Sequence, residues 1–125
     1  GTTGVTAWCG LFKVARPVSG DTVLVSGAAG ATGSIVGQLA KIAGCRVVGI
    51  AGGEDKCRWL VEEAGYDAAI DYKAGSVRAQ IKQHCPRGVD VIFDNVGGSI
   101  LNDMLGEITT GARVVICGGI SRYET

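Results

Sequence analysis

At 125 residues with 46% apolar side chains, the chain is long enough for one domain that buries about two-thirds of its unfolded surface. Twelve Lys and Arg against twelve Asp and Glu leave no basic field to draw nucleic acid or an anionic membrane. Five cysteines with no C-x-x-C pair, and His84 as the one histidine, exclude a readable disulfide framework or zinc site, and with no signal peptide to read they suggest a reducing cytoplasm.

In chain order, a helix is expected over residues 4–14, then a β-branched strand over Thr22–Val25. Ile35, Val36, Leu39, Ala40 and Ala43 recur at helical spacing and predict a helix over 33–43, closed by Gly44. Strands follow at Arg46–Ala51, 68–70, 90–93 and 113–117. Between them lie helices over 54–64, over 76–84 (with Ser76 as N-cap and Pro86 as stop), and from about residue 99. Strands alternating with helices through short connections make right-handed βαβ units. The fold class is therefore α/β: a doubly wound parallel sheet of Rossmann type in three αβα layers. The near-continuous apolar strands fit a sheet covered on both faces.

Such sheets bind ligands beyond the carboxyl ends of their strands. After the first strand comes Ser26-Gly27-Ala28-Ala29-Gly30-Ala31-Thr32-Gly33. It matches the dinucleotide pattern G-x-G-x-x-G with Ala28 in the first slot, Gly30 in the second and Gly33 in the third. A P-loop is excluded, because no Lys-Ser or Lys-Thr follows these glycines. The second strand ends Ile50-Ala51-Gly52-Gly53, without the carboxylate that an NAD site places there for the ribose. Lys56, with Arg58 nearby, could meet a 2′-phosphate, which favours NADP(H). Glu54 and Asp55 in the same turn could instead serve a ribose. Tyr72 could pack along the adenosine phosphate or cover the sheet edge. Asn95 could bond the cofactor or close an Asx-turn. Cys117 lacks a histidine partner and reads as a small strand-end residue, not a nucleophile; His84 reads as a helix-terminal surface residue.

Gly4-Val5-Thr6-Ala7-Trp8, Ala28 to Ser34, Val36-Gly37-Gln38, Gly44 to Gly52, Asp71-Tyr72-Lys73, Phe93 to Gly98 and Ile116 to Ser121 stand in an order that resembles the medium-chain dehydrogenase/reductase superfamily. Within it they are most similar to the zinc-independent, NADPH-dependent alkenal, prostaglandin and curcumin reductase-like group. The resemblance implies that Gly30, Ala31, Thr32 and Gly33 hold the pyrophosphate. It implies that Lys56 and Tyr72 contact the 2′-phosphate and that Asn95 contacts the cofactor. By the same resemblance, Cys117, Gly118, Gly119, Ile120 and Ser121 line the nicotinamide side. Tyr123 is then the catalytic residue that hydrogen-bonds the substrate carbonyl, although Glu124 follows it where the family carries Asn.

Residues 1–125 would then be the NADP-binding domain of a longer, homodimeric enzyme, with a GroES-like substrate domain outside them. The intact enzyme would reduce the C=C bond of small α,β-unsaturated carbonyl compounds by hydride transfer, and the isolated piece would be inactive. A short-chain dehydrogenase is rejected: Tyr66 is followed four residues on by Ile70 and Tyr72 by Ser76, so its Y-x-x-x-K pair is absent. A quinone reductase of the same superfamily and a non-catalytic NADP(H)-binding module remain alternatives.

Overall fold

Because each strand must be followed by a helix that covers the sheet, successive strands enter it in the same direction. The computed structural model describes residues 2–117, the Cys9 side chain excepted. In order they form α1 (Thr2–Trp8), a π-helical segment (Cys9–Ala15), β1 (Thr22–Val25), α2 (Ala31–Ile42), β2 (Arg46–Ala51) and α3 (Glu54–Glu62). Then come β3 (Ala68–Asp71), α4 (Val77–His84), β4 (Val89–Asp94), α5 (Gly98–Leu105) and β5 (Ile108–Ile116). All pairings are parallel and the strand order is β3-β2-β1-β4-β5, a Rossmann-type α/β sheet. The order in which strands are added reverses between β1 and β4, which opens a crevice at their carboxyl ends.

Alternate residues of each strand face opposite sides. Val23, Val25, Val47, Val91 and Phe93 pack on one face with Leu11, Val36 of α2 and Leu60 of α3. Leu24, Val48, Ile70 and Ile92 pack on the other with Ile81 of α4 and Met104 of α5. Among the described residues no helix is long and apolar enough to cross a membrane.

Two elements differ most from expectation. The leading helix is α-helical only to Trp8 and continues as the π segment. Ala7, Leu11 and Ala15 are fully buried at a spacing of four, and a wider turn keeps such a spacing on one face. Gly10 lets that turn ride on β4: a Cβ there would stand 2.7 Å from the Phe93 ring. Arg113 Nε donates to the Ala15 carbonyl at 2.8 Å and secures the end. The second difference is β5, which begins at Ile108 instead of 113. Val89 pairs with Ile108 but Val91 with Arg113, so residues 109–112 arch out beside Asp90. Thr109 Oγ1 donates to Asp90 Oδ1 at 2.8 Å, and Gly111 takes φ 80°. This polar stretch carries no apolar alternation, so the periodicity does not reveal it.

Tyr66, 2% exposed, is wedged between α2 and β2, and its hydroxyl donates to the Gly33 carbonyl at 2.6 Å. Cβ atoms at Gly37 and Gly49 would stand 2.1 and 2.7 Å from its ring. On helix propensity alone, Gly37→Ala should gain about 1 kcal/mol. Here the overlap wins, since forcing atoms into a packed core costs about 1–3 kcal/mol. Gly37→Ala is expected to lower the urea midpoint, and an unchanged or raised midpoint would contradict the wedge.

Burial raises the Tyr66 phenol above its ordinary value of 10.0, so the native state keeps a proton that the unfolded chain loses. That contribution to stability is complete below pH 10 and fades as pH rises beyond it. Burial also pushes the Cys85 thiol up, to about 11, so the two groups act in the same direction. Tyr66→Phe is therefore expected to cost stability at neutral pH yet to flatten the alkaline decline between pH 10 and 11. Equal alkaline slopes in denaturant titrations of the two proteins would refute this.

Candidate functional site

The crevice is built from the turn after β1. Gly27 takes φ 57°, and the Gly30 N–H closes the turn on its carbonyl at 3.1 Å. Gly27, not Ala28, thus makes the tight turn. The working pattern is three glycines, Gly27, Gly30 and Gly33, at intervals of three. Ala28 instead points into the core, fully buried, and its N–H pairs with the Ile50 carbonyl.

Gly30 is the N-cap of α2, without a side-chain cap, and no acid occupies the first turn. The helix starts two residues earlier than the apolar spacing predicts, so Ala31, Thr32 and Gly33 form its first turn. At a helix start their N–H groups lack intrahelical acceptors and the dipole is positive. Gly33 allows the close approach behind them: a Cβ there would stand 2.4 Å from the Gly27 carbonyl oxygen.

A cleft of about 200 Å³ opens in front of this turn. Its walls include Gly30, Gly52, Lys56, Tyr72, Val96 and Ile100. Lys56 lies in the first turn of α3, and among the described residues it has no ion-pair partner. Arg58 is turned away: it pairs with Glu54 at 3.0 Å and Asp55 at 3.5 Å on its own helix, and both acids are exposed. Tyr72 follows β3 and leans over Gly52, where a Cβ would stand 2.5 Å from its hydroxyl.

At the other lip, buried Ser26 and Asp94 join β1 to β4. Ser26 Oγ donates to Asp94 Oδ1 at 2.9 Å, and the same oxygen accepts the Val96 and Gly97 N–H groups. Asp94, rather than Asn95, therefore closes the Asx-type turn. Asn95 bridges instead, its N–H to Ser26 Oγ at 2.9 Å and its Nδ2 to the Ser26 carbonyl at 2.8 Å. Cys117 ends the described chain beside them, its N–H on the Asp94 carbonyl at 2.8 Å. Burial, then the neighbouring Asp94, raises its thiol pKa, which keeps it protonated and a poor nucleophile.

The structure thus gathers Gly30, Lys56 and Tyr72 on one cleft; Ala31, Thr32 and Gly33 follow Gly30 in the first turn of α2 and Asn95 precedes Val96, without themselves lining it. Gly118, Gly119, Ile120, Ser121 and Tyr123 lie outside the described residues. His84 is set apart as the last residue of α4, where its carbonyl accepts from Arg46. Sequence reasoning placed Ser26, Asp94 and Val96 in strand-end segments without giving them a role, and it left Ile100 out of the site. The available signal for the first two was a polar residue directly after each of two apolar strands that become neighbours.

The family model described as zinc-binding dehydrogenase matches residues 31–125. The chain is 42% identical to the NADPH-dependent curcumin reductase of Escherichia coli, over 99% of its own length and 36% of that protein's. It is 48% identical to prostaglandin reductase 1 of Oryctolagus cuniculus, over 100% of its own length and 36% of that protein's. The structure of CurA from Vibrio vulnificus in complex with NADPH superposes with a TM-score of 0.94 at 45% identity, covering 100% of this chain and 37% of that one. The chain therefore spans just over a third of the length of these relatives. From the match across most of its residues and a sheet of the corresponding topology, the chain belongs to the zinc-binding dehydrogenase family, within the medium-chain dehydrogenase/reductase superfamily.

Proposed function

We propose that the protein carrying this chain is an NADPH-dependent reductase of carbon–carbon double bonds conjugated to a carbonyl, and that this chain is its cofactor-binding part. One observation carries the cofactor: at the switch point of the sheet, a glycine turn feeding an uncapped helix start faces a cleft walled by Lys56 and Tyr72. The crevice suits a dinucleotide, because its walls combine the bare backbone of Gly27 and Gly30 with the Lys56 and Tyr72 side chains and the apolar Val96 and Ile100. The names of the curcumin and prostaglandin reductases supply the reaction type.

In this reading, the first turn of α2 holds the pyrophosphate on the Ala31, Thr32 and Gly33 amides. Lys56 and Tyr72 hold the 2′-phosphate, and Val96 and Ile100 offer apolar surface to the purine. Asn95 contacts the cofactor at the rim, and Cys117, Gly118, Gly119, Ile120 and Ser121 line the nicotinamide side. NADPH, when bound, supplies a hydride to the β-carbon of the substrate. Tyr123 donates to the carbonyl oxygen, stabilises the charge that develops there, and leaves the α-carbon to take a proton.

Among the described residues no three His, Cys, Asp or Glu side chains come together to hold a metal ion. Those residues do not fit the zinc of the family's description, and no step here runs through it. The proposal also takes the reaction to be zinc-independent and the protein to be cytoplasmic and homodimeric, with a GroES-like substrate domain elsewhere in its sequence. This chain alone would be inactive.

The intact protein is expected to consume NADPH when given an α,β-unsaturated ketone or aldehyde, followed by absorbance of the reduced cofactor. No turnover across a panel of enones and enals would remove the proposal. A charge-assisted contact contributes roughly 1.5–3 kcal/mol, or about tenfold to a hundredfold in affinity. Lys56→Ala should weaken NADPH binding by that factor in calorimetry and leave NADH nearly unchanged; a parallel loss for both would contradict the assignment of Lys56.

A further inference from the structure

The two side chains assigned to the 2′-phosphate come from different strand-end segments. Lys56 follows β2 and Tyr72 follows β3, so a selective pocket needs the segments locked together. Asp71 lies between them. Its Oδ1 accepts the Gly53 N–H at 2.9 Å and the Lys73 N–H at 2.9 Å. Gly53 is the N-cap of α3 with φ 103°, three residues before Lys56, and it has no side-chain cap of its own. Lys73 is the residue after Tyr72, and its ammonium lies 6.0 Å from the Tyr72 ring centroid. One carboxylate oxygen therefore grips the turn that carries the cation and the turn that carries the phenol.

Asp71 itself is held from behind. Gln80 of α4 accepts the Asp71 N–H at 3.2 Å and donates to its carbonyl at 3.0 Å. The Tyr72 N–H reaches the Ala51 carbonyl at 3.2 Å. A carboxylate beside a phosphate site would ordinarily repel its ligand. Here the Gly53 and Lys73 N–H groups engage Oδ1 and hold the carboxyl below the usual carboxylate range, so its charge is directed into the loops.

We propose that Asp71 is a specificity-positioning residue: it holds Lys56 and Tyr72 in register and so sets the preference for a 2′-phosphorylated dinucleotide. This rests on the NADPH reading above. Its test is the ratio of NADPH to NADH affinity in the intact protein, measured by calorimetry. A general loosening of the fold weakens both ligands alike, whereas a displaced phosphate pocket weakens NADPH alone.

Asp71→Ala and Asp71→Ser, neither of which reaches both N–H groups, should each reduce the ratio about tenfold. Asp71→Asn keeps an oxygen acceptor and should restore most of it. If Asp71→Ala does not fold, Asp71→Ser carries the test. A normal ratio in either folded variant, while Lys56→Ala abolishes the preference, overturns the role of Asp71 and leaves the cofactor reading standing. A wild-type protein that binds NADH as tightly as NADPH overturns the cofactor reading and this role with it.

Discussion

The position of α2 depends on one contact, the Tyr66 ring lying against backbone where two glycines have no side chains. Gly37 sits in a buried helix face and Gly49 in a central strand, where glycine ordinarily costs stability. Their absent Cβ atoms let the ring enter, and its hydroxyl reaches the Gly33 carbonyl in the first turn of the helix. The helix start is therefore fixed from behind by a side chain that never faces the cleft. An anion site made of backbone N–H groups has no rotamers to adjust, so its aim is the aim of the helix axis. That is why a buried tyrosine far along the chain bears on what the glycine turn can hold.

The opposite lip is set by a second constraint, the reversal of strand order between β1 and β4. Nothing covalent joins these strand ends, which are separated in sequence by two strands and three helices. Ser26, Asp94 and Asn95 bridge them instead, through one buried and two partly buried hydrogen bonds. A rigid lip matters because Val96 and Ile100, which wall the cleft, continue directly from that turn.

Most of the architecture is legible in the sequence because strands and helices of a covered parallel sheet write strong periods. The helix from Glu54 and the strand Arg46–Ala51 begin where pattern and turn chemistry place them. What escapes has specific causes. The arch at residues 109–112 is polar and follows no period, so it hides the first part of β5. The π segment writes apolar residues four apart, a spacing that an ordinary helix also tolerates. The glycine turn is visible, but which glycine bends the chain depends on φ, and Gly27 and Ala28 exchange roles by one position. For the site, Lys56 and Tyr72 stand out because of their places after strands. Ser26, Asp71 and Asp94 do not, since a short polar residue at a strand end is commonplace and their significance lies in partners far along the chain.

The first turn of α3 carries two opposing demands. A helix N-terminus favours acids, and Glu54 and Asp55 supply them. A phosphate in front of the same turn favours a cation and is repelled by those acids. Helical geometry separates the demands, because successive side chains are rotated by about 100°. Glu54 and Arg58, four apart, share one face and pair there in solvent. Lys56, two residues from each, is turned to the far side, where the cleft is. Read along the sequence, the segment is an ambiguous mixture of acids and bases. Wound into a helix, it becomes an outer face that is electrostatically satisfied and an inner face that presents one cation. Whether an acid or a base faces the cleft is thus decided by which residues stand two apart and which stand four apart.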